Sequence, residues 1–313
     1  MIVSTVADLA TDAVVTRLAA DGIDFERVNT EDVPFGQVCT LGFEPGKSLA
    51  MEIGRRPVAP VDAIWYRRLR SAARPADMDA GVYDFCVRES RSAFLGGLLA
   101  QQARWMSHPA AIWQAEFKPY QLQVAQTVGL AIPRTVVTSD PDAIRTAHDA
   151  FGSLVAKPVR SGHFKWGGAD YSIFTSRVSD SDLETLDQAP WCPSIYQELI
   201  PKKFDIRVTI VGRQLFAAAI DSQSDPSASI DWRRTENPLL PHTRIDLPVE
   251  LQEQLHALMN VLGLAFGCVD MVLTPSEEFV FLEINPSGQW LWLDDALGFD
   301  ITGAIAAWLG ERP

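Results

Sequence analysis

The sequence predicts a mixed α/β chain, of α/β type at its start and α+β towards its end, with more than one lobe. Three observations carry this. The first thirty residues alternate apolar strand, helix and apolar strand; the last third is rich in strands; and 313 residues, 47% hydrophobic and 21% charged, have the composition of a folded protein. At about 150 residues per domain, that length suits two domains or a few lobes around a shared core.

The elements follow in order. Residues 2–6, 8–20 and 25–29 form a β–α–β opening, with Asp21-Gly22 stopping the helix. Residues 38–43 and 48–53 are extended, and Glu44-Pro45-Gly46-Lys47 between them is a hairpin turn. Residues 63–67 add a strand. The apolar spacing predicts one long helix over 82–106, softened at Gly96-Gly97 by about 1 kcal/mol per glycine. A second helix over 115–128 stops at Gly129, before Pro133. Strand 135–138, helix 141–151, strands 154–158 and 171–176, and helix 180–188 come next. The remainder reads as strands 194–199, 206–211 and 215–221, helix 249–262, strands 266–273 and 278–284, and a closing helix at 301–309. No internal repeat or low-complexity linker interrupts this order.

Charge narrows the class. The formal net charge is −13, and from Ile245 onward eleven acids face a single base, Arg312. Nucleic-acid binding rests on clustered Lys and Arg, so a nucleic-acid partner is not expected. No apolar run has the 18–20 residues or so that cross a bilayer, so no membrane partner is expected either. The N-terminus has no basic region before its apolar stretch, and the four cysteines, Cys39, Cys86, Cys192 and Cys268, form no CxxC pair. A cytoplasmic protein with reduced thiols is the expectation.

The acidic end holds the sharpest motif. In GCVDMVL (267–273) and EEFVFLEINPSG (277–288), two strands joined by Thr274-Pro275-Ser276 would pair antiparallel. Alternation then puts Glu283 and Asn285 on one face, where Asp270 of the partner strand can join them. Two carboxylates and an amide oxygen suit Mg²⁺, which takes one or two protein carboxylates and fills its remaining positions with phosphate and water. The competing reading is a solvated edge hairpin, although Glu283 inside Phe281-Leu282-Glu283-Ile284 is costly to bury alone.

Lysine is scarce, six against 21 arginines. Lys157 ends the apolar run Leu154-Val155-Ala156, and a lysine on a buried strand needs an anion such as phosphate. Lys118, taken alone, reads as a solvated helix lysine. The segment from Arg160 to Gly168 is glycine-rich and carries Lys165; it is either a phosphate-covering loop or a plain turn. Asp205 and Arg207 share a strand face, as an oriented arginine or as a surface ion pair. Arg233, in Trp232-Arg233-Arg234, suits bidentate contact with an acyl phosphate or carboxylate, or belongs to an exposed loop. Trp290 and Trp292 either pack in a core or face a substrate. The bases Arg67, Arg68, Arg70 and Arg74 read as a solvated face.

The order Lys118, Lys157, glycine-rich loop, Gln197-Glu198, Asp205-x-Arg207, Asp270, Glu283-x-Asn285 resembles the ATP-grasp superfamily over roughly residues 110–310. Within it, AIWYRR (63–68), EFKPYQLQVAQTVGLAIPRTVVTSDP (116–141) and EINPSGQWLWL (283–293) look like the ligases that macrocyclise graspetides, the microviridin-type ribosomal peptides. The resemblance implies an ATP-grasp fold. It has an N-terminal β–α–β pre-ATP-grasp domain with a connecting helix (1–110), a central lobe (111–200) and a C-terminal lobe with the metal site (201–313), whose antiparallel sheets sandwich ATP.

It also implies cofactors and roles. ATP and Mg²⁺ would be the cofactors. Lys118, Lys157, Lys165 and Asp205 would belong to the nucleotide site, and Gln197, Glu198 and Leu199 would hold adenine and ribose. Arg207 would sit at the γ-phosphate and Arg233 at the acyl phosphate; Asp270, Glu283 and Asn285 would hold Mg²⁺. The implied substrate is a ribosomal precursor peptide, leader plus core. Its Asp or Glu carboxylates would be activated as acyl phosphates and joined to Thr or Ser hydroxyls or Lys amines. The alternatives are a ligase adding amino acids to a protein tail or small acid, and a non-catalytic ATP-binding regulator. Segments 160–190 and 221–245 are the expected specificity region. Ring number, linkage and oligomeric state stay open, a homodimer included.

Overall fold

The computed structural model describes residues 1–311 apart from Glu236, Pro238 and Leu239, and the backbone alone of Gln188. Those three residues of the 221–245 segment, and the last two of the C-terminal lobe, lie outside the described residues. The chain divides into two compact units. One holds residues 1–109 with the chain from Asp300 onward, and the other spans Ala110–Phe299.

In the first unit, β1 (Ile2–Ser4), α1 (Leu9–Ala20) and β2 (Arg27–Asn29) build the expected β–α–β opening. Asp8 caps α1 by accepting a hydrogen bond from the Thr11 amide. A hairpin of β3 (Cys39–Gly42) and β4 (Ala50–Ile53) is extended by β5 (Arg56–Pro57) into a three-stranded sheet. β6 (Ala63–Tyr66), α2 (Ala80–Leu99) and β7 (Arg104–Trp105) complete a sheet of order β2-β1-β6-β7. The helix expected to reach residue 106 therefore stops at Leu99, and its continuation pairs with β6. Gly97 is a contact point: a Cβ there would lie 2.6 Å from Leu41 and 3.1 Å from the Met51 sulfur. The glycine that weakens the isolated helix lets the β3–β4 hairpin seat on it. Arg67 is not solvated as expected. It is buried beside Asp8, Nε to Oδ2 3.7 Å, while Arg70 and Arg74 do face solvent.

The second unit begins with α3 (Pro109–Ala115) and α4 (Lys118–Thr127). One helix was expected here. Pro119 lacks an amide hydrogen, so it is accommodated in the first turn of a new helix and α4 starts at Lys118. Next come β8 (Thr135–Thr138), α5 (Pro141–Phe151), β9 (Leu154–Pro158), β10 (His163–Trp166), β11 (Ala169–Ser172), β12 (Ser176–Arg177), α6 (Asp180–Glu184) and β13 (Ser194–Glu198). They form an antiparallel sheet β12-β9-β13-β8 and a separate β10–β11 hairpin. The hairpin replaces the single strand expected at 171–176.

β14 (Phe204–Val211), β15 (Gln214–Ile220), β16 (His242–Arg244), α7 (Val249–Leu262), β17 (Phe266–Leu273), β18 (Phe279–Asn285) and α8 (Leu291–Leu297) follow. Their sheet runs β16-β15-β14-β17-β18, antiparallel throughout. α7 buries Leu251, Leu255, Leu258, Met259 and Leu262, an apolar stripe at helical spacing. Finally α9 (Ile301–Gly310) packs on α1 in the first unit. Among the described residues no helix is long and apolar enough to cross a membrane.

Candidate active site

The two antiparallel sheets of the second unit wall a cavity of about 640 Å³. β9 brings Val155 and Lys157 to it, β13 brings Gln197 and Glu198, and the crossing segment brings Leu199, Ile200 and Lys202. β14 supplies Asp205 and Ile206, β17 supplies Asp270, and β18 supplies Glu283 and Asn285. Lys118 and Gln121 enter from α4, and Asp231 and Arg233 from the segment after β15.

Strand register explains the acidic pair. Asp270 lies directly opposite Glu283, and Cys268 opposite Asn285, so the three expected metal ligands share one face. Like charges placed opposite each other on paired strands repel. This chain answers with cations. Lys118 Nζ is 2.9 Å from Glu283 Oε2 and Arg233 Nη1 is 4.0 Å from Oε1. Arg207 Nη1 donates to both Asp270 oxygens, at 2.8 and 2.9 Å. Burial works to raise the Glu283 carboxyl, but Lys157, Lys118 and Arg233 outweigh it and hold it at about 2. Asp270 moves the other way: burial, with repulsion from Glu283, raises it against the pull of Arg207. Like charges sharing a site split in this manner.

Lys157 is buried, and burial lowers its ammonium to about 8 against the attraction of Glu283. A phosphate binds the protonated form, so the attraction is complete below that value and fades as pH rises through it. Affinity for ADP without Mg²⁺ should therefore decline from pH 7 to pH 9. Lys157→Arg should flatten the profile, because guanidinium stays charged. Calorimetric titration across that range is the check, and an unchanged affinity in wild type would contradict the charge assignment.

Several expected residues arrive differently from their assignment. Lys165 does not line the cavity. The glycine-rich segment folds into the β10–β11 hairpin, where exposed Lys165 faces Asp170 across the strands. Arg207 does not line it either, because its cross-strand partner is Asp270 and its guanidinium lies behind that carboxylate, also donating to the Gln289 carbonyl at 3.0 Å. Glu198 lines the cavity, but its carboxylate is held bidentately by Arg134, at 2.8 and 2.9 Å. The Leu199 amide is bonded to the Ser153 carbonyl. Gln197 is buried and donates to Thr135 Oγ1. Asp205 accepts from Lys202 Nζ at 3.0 Å and Ser222 Oγ at 2.5 Å, so it braces the crossing segment. Trp290 is a core residue buried against Phe266, and Trp292 is partly buried, packed on Trp232 and His242.

Three contributors went unread in the sequence. Lys202 also donates to the Ile230 carbonyl at 2.8 Å, tying the crossing segment to the chain that carries Arg233. Asp231 accepts from Arg233 Nε and Nη2, at 2.8 and 2.7 Å, and so aims that guanidinium. At Gly288, a Cβ would lie 2.4 Å from Cys268 Cβ and 3.0 Å from Arg207 Nη2. Only glycine lets the turn after β18 close over the arginine. The Asp-x-Arg spacing of 231 and 233 was a signal for the second of these.

Hard oxygen donors sharing one face, with side-chain cations that a metal would displace or join, fit Mg²⁺ at Asp270, Glu283 and Asn285. Among the described residues no group of three or more His, Cys, Asp or Glu side chains could hold a metal ion, so the proposed site rests on two carboxylates and one amide oxygen. An open site that leaves positions to phosphate is the Mg²⁺ pattern.

Comparison with known proteins fixes the lineage. Residues 1–112 match the family described as MvdD pre-ATP grasp domain. The chain is similar to macrocyclase MdnB from Microcystis aeruginosa MRC, at 31% identity over 98% of both chains with a TM-score of 0.80. Macrocyclase MdnC of the same organism, bound with precursor peptide MdnA, gives 30% over 98% of both and 0.86. The chain belongs to the RiPP ATP-grasp ligases. As such, this ligase is an ATP-using, ADP-forming enzyme. A Chryseobacterium gregarium RiPP-associated ATP-grasp ligase, in complex with ADP and a leader and core peptide, is 28% identical, with 99% of this chain and 97% of that chain covered and a TM-score of 0.91. No curated protein sequence matches the ligase significantly.

Proposed function

We propose that the ligase activates Asp or Glu side-chain carboxylates of a ribosomal precursor peptide and joins them to Thr or Ser hydroxyls or Lys amines of the same peptide, closing macrocycles. The observation that carries this is the meeting in the cavity of three cations, Lys118, Lys157 and Arg233, with the facing carboxylates Asp270 and Glu283, the former backed by Arg207. Such a site neutralises polyphosphate and holds a metal, and it needs no protein nucleophile.

In this reading Lys118 and Lys157 bind the phosphates. Asp270, Glu283 and Asn285 would hold Mg²⁺, which would supply charge neutralisation for the phosphates. Gln197, Glu198 and Leu199 form the wall beside the base and sugar. Arg233, aimed by Asp231, meets the peptide carboxylate. A carboxylate oxygen bonds to the γ-phosphorus as the bond to ADP breaks, giving an acyl phosphate. The hydroxyl or amine then bonds to the carbonyl carbon, phosphate leaves, and the attacking group's proton passes to solvent. Alignment and charge neutralisation supply most of the acceleration in such transfers. The lobes would be 111–200 and the chain from 201, with 1–110 as the preceding domain.

The test is to incubate the ligase with ATP, Mg²⁺ and a precursor peptide whose core combines Thr or Lys with Asp or Glu. Expected is ADP release that depends on the peptide, with one water lost from the peptide per ADP formed. ADP release supported by a free amino acid, with a mass gain on the acceptor, would overturn the macrocyclase reading. Absence of any acceptor-dependent ADP would point to a regulator.

A further inference from the structure

β18 is the outer strand of its sheet, and on its open side a single bridge, Ala131 to Val280, is the strand-like contact among the described residues. Glu283 and Asn285 sit opposite residues of β17, and Ile284 between them turns its amide and carbonyl to the open side. Both groups are met by one buried side chain. The Ile284 amide donates to Gln121 Oε1 at 3.0 Å, and Gln121 Nε2 donates to the Ile284 carbonyl at 2.8 Å. This is the two-bond exchange that a neighbouring strand would make, supplied by a primary amide. The second Nε2 hydrogen goes to the Ala115 carbonyl at the end of α3, so the glutamine is anchored from behind.

The same helix makes a second, different contact. Lys118, one turn earlier on α4, holds the Glu283 carboxylate itself. The Lys118 contact is exchangeable, because phosphate and Mg²⁺ would compete for its two partners. The Gln121 contact is to backbone and has no such competitor. The register of β17 and β18 also shifts between Asp270 and Met271, which leaves the strand at Glu283 less constrained by its neighbour than a regular ladder would.

We propose that Gln121 is a positioning residue for the metal strand: its amide fixes Ile284 and so keeps Glu283 and Asn285 aimed into the cavity once Lys118 has released Glu283. This rests on the assignment of Asp270, Glu283 and Asn285 as the Mg²⁺ ligands. Removing the amide frees the strand between two ligands, an effect of the kind that costs about 10- to 100-fold in metal affinity.

The experiment uses the full chain, titrating Mg²⁺ into the ADP complex of wild type, Gln121→Met and Gln121→Glu, with ADP affinity measured separately without metal and amide hydrogen exchange followed at Ile284. Gln121→Met should weaken Mg²⁺ binding by about 10- to 100-fold, leave metal-free ADP affinity unchanged, and speed exchange at Ile284 but not in β9 or β13. Gln121→Glu keeps an acceptor for the Ile284 amide and loses the donor, so it should lie between. If Gln121→Met does not fold, Gln121→Glu decides by the same readings. Unchanged Mg²⁺ affinity with fast Ile284 exchange overturns the proposal, and so does an equal loss of ADP affinity with and without metal, which marks a merely structural role. Glu283→Gln run in parallel separates the two claims. If it too leaves Mg²⁺ affinity unchanged, the metal assignment fails and takes the positioning role with it; if it alone weakens Mg²⁺, only the role of Gln121 fails.

Discussion

Glu283→Gln should lower peptide-dependent ADP formation on the order of a hundred- to a thousandfold while the chain stays folded. Glutamine keeps the size and one oxygen of the side chain and removes only the charge. That charge faces Lys118 at 2.9 Å and Arg233 at 4.0 Å, and it is the strongest attraction acting on Lys157. Two consequences separate under measurement. Mg²⁺ loses a ligand, so its concentration dependence should move sharply upward. Lys118 loses its carboxylate partner, but Lys157 loses the attraction that holds its ammonium up against burial, so the fall of metal-free ADP affinity with rising pH should begin at a lower pH than in wild type. Steady-state assays with a Mg²⁺ titration, and ADP titration in chelator, read the two effects apart. Retained turnover with an unaltered Mg²⁺ dependence would sink the metal assignment.

Arg207→Met should be the most destabilising change in the site. The guanidinium and Asp270 are both largely out of water, joined by two hydrogen bonds, and Asp270 already has its carboxyl raised by burial and by Glu283. Removing one partner of a buried pair costs about 3–5 kcal/mol, because the other charge is stranded. For a unit of this size the melting temperature should fall by roughly 6–20 °C, at about 2–4 °C per kcal/mol. Mg²⁺ with ADP should recover more stability in the variant than in wild type, since the cation then takes over Asp270. The double change Arg207→Met with Asp270→Leu should regain stability without activity. A melting temperature equal to wild type in the single variant would mean that the ion pair is not the buried contact described.

Much of the site was legible because its groups are costly unless they have a purpose. Glu283 inside an apolar strand and Lys157 ending one both call for a partner, and alternation predicted the shared face of Glu283 and Asn285, which the β17–β18 register bears out. Roles were less legible than positions. Arg207 and Glu198 each have a charged partner, Asp270 and Arg134, that occupies the group assigned to the nucleotide. Arg134 lies 64 residues from Glu198 in the chain, so no local spacing announces the pair. Lys165 lies on the β10–β11 hairpin outside the cavity lining, because glycines permit a tight hairpin as readily as a phosphate loop, while Arg160, Gly162 and His163 before it do line the cavity. Gly97 read as a weak point, yet it is where the β3–β4 hairpin comes within contact distance.

The sequence by itself determined the fold class, most of the strands and helices in their order, the acidic hairpin with its candidate ligands, and the resemblance that the comparisons turned into family membership. These follow from local properties: side-chain alternation, helix stops, and the expense of a charge in an apolar run. The tertiary structure alone decided which charge meets which. It put Lys118 rather than solvent against Glu283, sent Arg207 behind Asp270, and brought Gln121 to the open edge of β18, 163 residues away in sequence. The physical reason is that a charge or an amide carries no mark of its partner, and the partner is chosen by whichever segments the packed sheets bring within hydrogen-bond reach.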